Sequence, residues 1–202
     1  MEFRIVKLSE LSEPQARRTF ELFAEGFYNI FSPISKNKAK LAQLFMDSFD
    51  RQMAHVCLYG DQAVGMLACG NAKKQPIRLR RKTCLRVLGR PKGILVYRLA
   101  NPMLSRPKVK GDREGYLDYL TTDPAFRGKG IGSRLMRHAC ETWPYDRFSF
   151  EVLEKNENAI RLYKKLGFRP VKVKNDPFAM LAGGGRPIIM ALEPGRKLSP
   201  AV

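Results

Sequence analysis

From Tyr116 to Ser133 the chain reads Tyr-Leu-Asp-Tyr-Leu-Thr-Thr-Asp-Pro-Ala-Phe-Arg-Gly-Lys-Gly-Ile-Gly-Ser, and the end of this passage is suited to gripping an anion. Gly128, Gly130 and Gly132 let the backbone come close to a ligand, while Arg127 and Lys129 add full positive charges. Ile131, Leu135, Met136, Ala139, Cys140 and Trp143 then recur at helical spacing. The glycine-rich turn therefore opens a helix, whose free N–H groups and positive dipole end favour a phosphate. No Gly-Lys-Ser/Thr follows, which excludes a Walker loop, and the glycine spacing differs from the dinucleotide fingerprint. Cys57, Cys69, Cys84 and Cys140 form no Cys-x-x-Cys pair and no cluster with His55 or His138. No metal site is expected of them, and the cysteines read as packed thiols.

The elements that must position this turn follow from periodicity. Phe3–Lys7 alternates as a strand, and Glu13–Phe27 has helical spacing with Pro14 in its first turn. Lys36–Phe49 reads as a second helix. His55–Tyr59 and Ala63–Cys69, divided by Gly60-Asp61-Gln62, read as a hairpin. A further helix is expected around Ile77–Leu88, where Ile77, Cys84, Leu85 and Leu88 would share a face. Tyr116–Thr122 reads as a strand stopped by Asp123-Pro124. Phe148–Leu153 is another strand, and Asn156 can cap a helix whose stripe is Ala159, Ile160, Leu162, Tyr163 and Leu166, closed by a left-handed Gly167. A last extended run, Pro187–Leu192, follows Gly183-Gly184-Gly185. Such alternation implies an α/β (α+β) domain with a mixed sheet flanked by helices.

Two motifs in this order resemble the GNAT superfamily of acyl-CoA-dependent N-acyltransferases. Arg127, Gly130 and Gly132 match its phosphate motif, Arg/Gln-x-x-Gly-x-Gly/Ala. Asn156, Ala159, Tyr163, Gly167 and Phe168 match Asn-x-x-Ala-x-x-x-Tyr-x-x-x-Gly-Phe at full spacing. The resemblance lies in residues 115–168, roughly a quarter of the chain. It implies a single domain over residues 1–202 with a mixed, mostly antiparallel sheet: an N-terminal part, 1–114, with an extended basic insertion at about 72–112; an acyl-CoA core, 115–168; and C-terminal strands and tail, 169–202. Acetyl-CoA would be the co-substrate, with no metal. Its contacts would come from Leu120 and Thr122 at the end of the cofactor-binding strand, from the turn residues Arg127, Gly128, Lys129, Gly130, Ile131, Gly132 and Ser133, and from Asn156 and Tyr163. Thr122 stands where the family usually has an apolar residue.

The resemblance further implies direct attack of a substrate amine on the thioester carbonyl. An alkylammonium with a pKa near ~10 must first lose a proton. Asp118 is the first candidate base, because Tyr116, Asp118 and Leu120 share one face of a regular strand; Glu151 is the second. Tyr163 matches the tyrosine that hands a proton to the departing thiolate. The alternatives are a strand carboxylate at a solvent edge or paired with a nearby arginine, and a core tyrosine with a satisfied hydroxyl.

The chain carries 37 basic and 19 acidic side chains, a net charge of +18. No acidic residue occurs between Asp61 and Asp112, a stretch rich in lysine and arginine. Such a field disfavours polycationic acceptors such as polyamines and aminoglycosides, and suits a neutral or anionic amine, small or carried on a protein. A basic helix at Ile77–Leu88 would also suit nucleic acid or an anionic membrane surface, and a non-catalytic acyl-CoA sensor is a third reading. No helix-turn-helix, zinc-finger or RNP pattern supports nucleic acid. No apolar run approaches ~20 residues, and the first residues lack a signal-peptide core, so a soluble, cytoplasmic protein is expected. The oligomeric state is left open.

Overall fold

A computed structural model describes residues 2–176 and 185–194. Gly183, Gly184 and the tail from Gly195 lie outside the described residues. Seven strands form one sheet in the order β1-β2-β3-β4-β5-β7-β6. They are β1 (Phe3–Lys7), β2 (Ala54–Tyr59), β3 (Gln62–Gly70), β4 (Glu114–Thr122), β5 (Arg147–Leu153), β6 (Arg169–Val173) and β7 (Pro187–Leu192). Only β4 and β5 run parallel; the remaining neighbours are antiparallel. The expected mixed, mostly antiparallel sheet is observed.

One face is covered by α1 (Glu13–Gly26), α2 (Tyr28–Phe31), α3 (Lys38–Met46), α4 (Arg81–Leu88) and α5 (Lys92–Ser105). Its core is aromatic: Phe20, Phe23, Phe31, Phe45 and Phe49 are buried together with Tyr119. Ser12 and Gln15 form a capping box at the start of α1, with Pro14 in the first turn. The other face is covered by α6 (Ile131–Thr142) and α7 (Glu157–Lys165), over a mixed core that includes Leu67, Leu117, Leu135 and Met136 with Phe148, Phe150 and Phe168. At the far end of α6, the His55 ring stacks on Trp143 and meets His138 edge-on, each at 4.6 Å. Burial, with His138 beside it, pushes His55 down to about 4. Burial also keeps the thiols protonated, raising Cys57 to about 11 and Cys140 to about 12. No described helix is long and apolar enough to cross a membrane.

Two expectations need correction. The second helix begins at Lys38 rather than Lys36, because the Asn37 side chain accepts the Lys40 N–H at 3.0 Å and caps it. It ends at Met46, because Phe49 is drawn into a bridge with Ile77. The same bridge removes Ile77 from the helix expected over Ile77–Leu88. The Arg78 N–H donates to Ser48 O and the Asp50 N–H to Pro76 O, so this segment is extended and α4 starts only at Arg81. Its apolar side packs inward through Cys84 and Val87. A basic helix over the whole of Ile77–Leu88 is therefore not what forms; the shorter α4 keeps Arg81, Lys82 and Arg86 exposed on its outer side. Helices α2 and α5 and strand β6 were not expected from periodicity.

Candidate active site

The site begins with an irregularity in β4. Thr121 pairs with Met66 and Asp118 with Ala68, so two β4 residues, Tyr119 and Leu120, stand opposite the single residue Leu67. This is a β-bulge. Tyr119 adopts φ 57°, a left-handed conformation that costs a residue with a side chain about 1–2 kcal/mol. Its ring is held between Phe23 at 5.4 Å and Phe27 at 5.6 Å, centroid to centroid, so the aromatic core supports the strained backbone. The bulge also reverses the alternation of side chains. Leu120 turns to the α6 face and approaches Gly132, whereas Asp118 and Tyr116 stay beside Lys108. Leu120 thus does not share a face with Asp118, contrary to regular-strand counting.

Across the gap, β4 pairs with β5 only as far as Tyr116 and Ser149. Beyond that point β5 continues on β7, and the two parallel strands separate. A cavity of about 490 Å³ occupies the split, lined by Asp118, Leu120, Glu151, Asn156 and Tyr163 among others. Five of the expected site residues thus meet there. Thr122 and the turn Arg127–Ser133 lie outside this lining, at the head of α6, whose Met136 forms part of the cavity wall.

Asp118 is half-buried. Its Oδ2 accepts from Lys108 Nζ at 2.5 Å and its Oδ1 from the Tyr119 N–H at 3.1 Å. Burial raises the Asp118 carboxyl above the usual range, the Lys108 ammonium pulls it back, and Glu151 adds a small upward push. Lys108 sits over the Tyr116 and Tyr119 rings at 4.8 and 5.8 Å. Glu151 Oε2 is paired with Lys174, from the segment after β6. Tyr163, on α7, packs edge-on against Phe150 at 4.3 Å, and its hydroxyl has no hydrogen-bond partner among the described residues. Burial raises its pKa, so it holds its proton at neutral pH. Asn156 Oδ1 accepts the Ala159 N–H at 3.2 Å, the cap expected from sequence and worth about 1 kcal/mol. Gly167 has the expected positive φ, 99°.

The turn is built from backbone. Gly130 is the N-cap of α6 at φ 74° and offers no side-chain cap, and Gly128 has φ 77°. Among the described residues the amides of Gly128, Gly130, Ile131, Gly132 and Ser133 find no acceptor. Ile131, fully buried, anchors the helix end. Arg127 is exposed and unpaired among the described residues, and Lys129 lies over the Phe126 ring at 4.6 Å. Neighbouring unclaimed amides at a helix N-terminus, flanked by two cations, fit a pyrophosphate such as that of acetyl-CoA.

Lys108, Lys174 and the Arg18–Asp123 pair escape sequence reading. Lys108 is one of many cations in its stretch, and nothing local marks it. Arg18, on α1, contacts buried Asp123 at 2.7 Å and fixes the approach to the turn from a distant part of the chain.

A mixed sheet split between two parallel strands, with a bare helix N-terminus beside the split, defines an acyltransferase-like architecture. The same fold is found in a crystal structure described as histone acetyltransferase HPA2 and related acetyltransferase from Corynebacterium glutamicum, with TM-score 0.61 and 19% identity over the whole of both chains. The profile of the Acetyltransferase (GNAT) family matches residues 16–168, and the chain belongs to that family. It is similar to a glucosamine 6-phosphate N-acetyltransferase of Trypanosoma brucei brucei, 32% identical over 33% of this chain and 47% of that protein. It is also similar to the peptidyl-lysine N-acetyltransferase YjaB of Escherichia coli, 41% identical over 27% of this chain and 35% of that protein. The matched stretch thus spans less than half the length of these curated relatives.

Proposed function

We propose that the chain is an N-acetyltransferase that uses acetyl-CoA to acetylate a primary amine by direct attack in a ternary complex. The observation that carries this reading is the set of unclaimed amides of Gly128, Gly130, Ile131, Gly132 and Ser133 beside the split between β4 and β5. Those amides, with Arg127 and Lys129, hold the pyrophosphate; Leu120 and Asn156 line the cavity, and Thr122 ends β4 between it and the turn. Acetyl-CoA supplies an acetyl group already activated as a thioester.

The chain's own groups manage the protons. Asp118, ionised, takes the proton of the acceptor ammonium through water, because an alkylammonium with pKa near ~10 is mostly unreactive at neutral pH. Lys108 pulls the Asp118 pKa back down against its burial and so favours the ionised form. Tyr163 keeps its proton and offers it from Oη to the departing sulfur. Glu151, tied to Lys174, is the second carboxylate available as base. The acceptor is a neutral or anionic amine, as the net charge of +18 favours. The named relatives, a glucosamine 6-phosphate and a peptidyl-lysine N-acetyltransferase, support an amine acceptor without choosing its charge.

A thiol-release assay with a panel of amines tests the reading. Amine-dependent release with intersecting double-reciprocal lines is expected. Parallel lines would overturn direct attack, and acetyl-CoA binding with no amine-stimulated release would make the protein an acyl-CoA sensor.

A further inference from the structure

Helix α5 has two apolar sides and only one is used. Val96, Tyr97, Ala100 and Leu104 pack onto the aromatic core. Leu95, Leu99 and Met103, spaced four apart and so on one face, are 58%, 62% and 76% exposed. Lys92, Arg98 and Arg106 stand exposed around this stripe, with no ion pair among the described residues. Leu104, next to Met103, lines the cavity that holds Asp118 and Tyr163, as do Lys108 and Ile30, itself 66% exposed. An apolar track rimmed by cations thus leads to the acceptor side of the cavity.

We propose that the acceptor amine is carried on a polypeptide, which docks along this α5 face through apolar residues interspersed with acidic ones. The proposal rests on the N-acetyltransferase reading above. A small metabolite fits within about 490 Å³ and has no use for surface outside the cavity. The 14 residues of α5 span roughly 21 Å, the length of about six extended residues. Three large apolar side chains left in water on one helix face are a feature of interaction surfaces. The surrounding cations, in a stretch with no acidic residue from Gln62 to Gly111, select an acidic partner. An anionic membrane would meet the same chemistry, but a membrane has no need of a track that ends at the catalytic cavity.

The test compares two acceptors of the full chain: a peptide of about twelve residues that alternates leucine and glutamate and carries a free α-amine and one lysine, and a small amine such as lysine amide. Leu99→Ser with Met103→Ser is expected to raise KM for the peptide about tenfold. Acetyl-CoA affinity and the rate with the small amine stay within about twofold. Lys92→Glu with Arg98→Glu, which leaves the apolar surface intact, is expected to raise the same KM and to lower it for a peptide with lysine in place of glutamate. Peptide kinetics unchanged in both variants would overturn the proposal. So would loss of binding to phosphatidylglycerol vesicles with peptide kinetics intact, which would assign the stripe to a membrane. Absence of acetyl-CoA binding and of thiol release with any amine would instead strike the underlying reading, and this proposal with it.

Discussion

The two walls of the cleft are made of different material. On the α6–α7 side, the elements that matter are mostly backbone: the amides of Gly128, Gly130, Ile131, Gly132 and Ser133 and the early end of β4–β5 pairing, with the Asn156 side chain capping α7. On the α1–α5 side they are side chains brought together from far apart: Phe27, Ile30 and Leu104 along the wall, and Lys108 on Asp118. A co-substrate whose phosphate end is fixed can be met by one backbone arrangement. An acceptor is met by whatever side chains the helices deliver. The first wall should therefore govern turnover with every acceptor, and the second should govern protonation and choice of acceptor.

Tyr163→Phe applies the most severe test to the first wall. The phenyl ring keeps its packing on Phe150, so stability is preserved while the proton donor is lost. Turnover is expected to fall about 10²-fold with every amine, and acetyl-CoA affinity to stay within about twofold. Unchanged turnover would remove Tyr163 from the chemistry.

Lys108→Met probes the second wall and should produce a smaller effect. Burial raises the Asp118 pKa and Lys108 lowers it, so without the ammonium the pKa rises further. A base works only when ionised, so the acid limb of the kcat/KM profile should move to higher pH. Plateau activity at high pH is expected to change little. A limb that stays in place would remove Asp118 as the base and turn attention to Glu151.

The same division explains what the sequence could reveal. The turn and the α7 motif are local: glycine spacing, an Asn cap and a closing Gly167 act within one or two turns of chain, so residues 115–168 are legible. The bulge at Tyr119 is not, because its strain is supported by Phe23 and Phe27, almost a hundred positions earlier. Counting alternate residues from Tyr116 therefore misplaces Leu120. Ile77 fails for a related reason: a long-range bridge to Phe49 outweighs its helical spacing. Helix α5 is obscured by Pro102 within it and by an apolar surface that extends past its buried side. Lys108 and Lys174 become distinguishable from other lysines only once folding sets them against Asp118 and Glu151.

The grip of the turn on a pyrophosphate is the claim on which the account depends. Titrating ¹⁵N-labelled protein with coenzyme A and following the backbone amide resonances tests it directly. Gly128, Gly130, Ile131, Gly132 and Ser133 are expected to show the largest shifts, while the amides of α4 and α5 barely move. Saturable binding that leaves those five amides unshifted, or that shifts the basic helices instead, would contradict it.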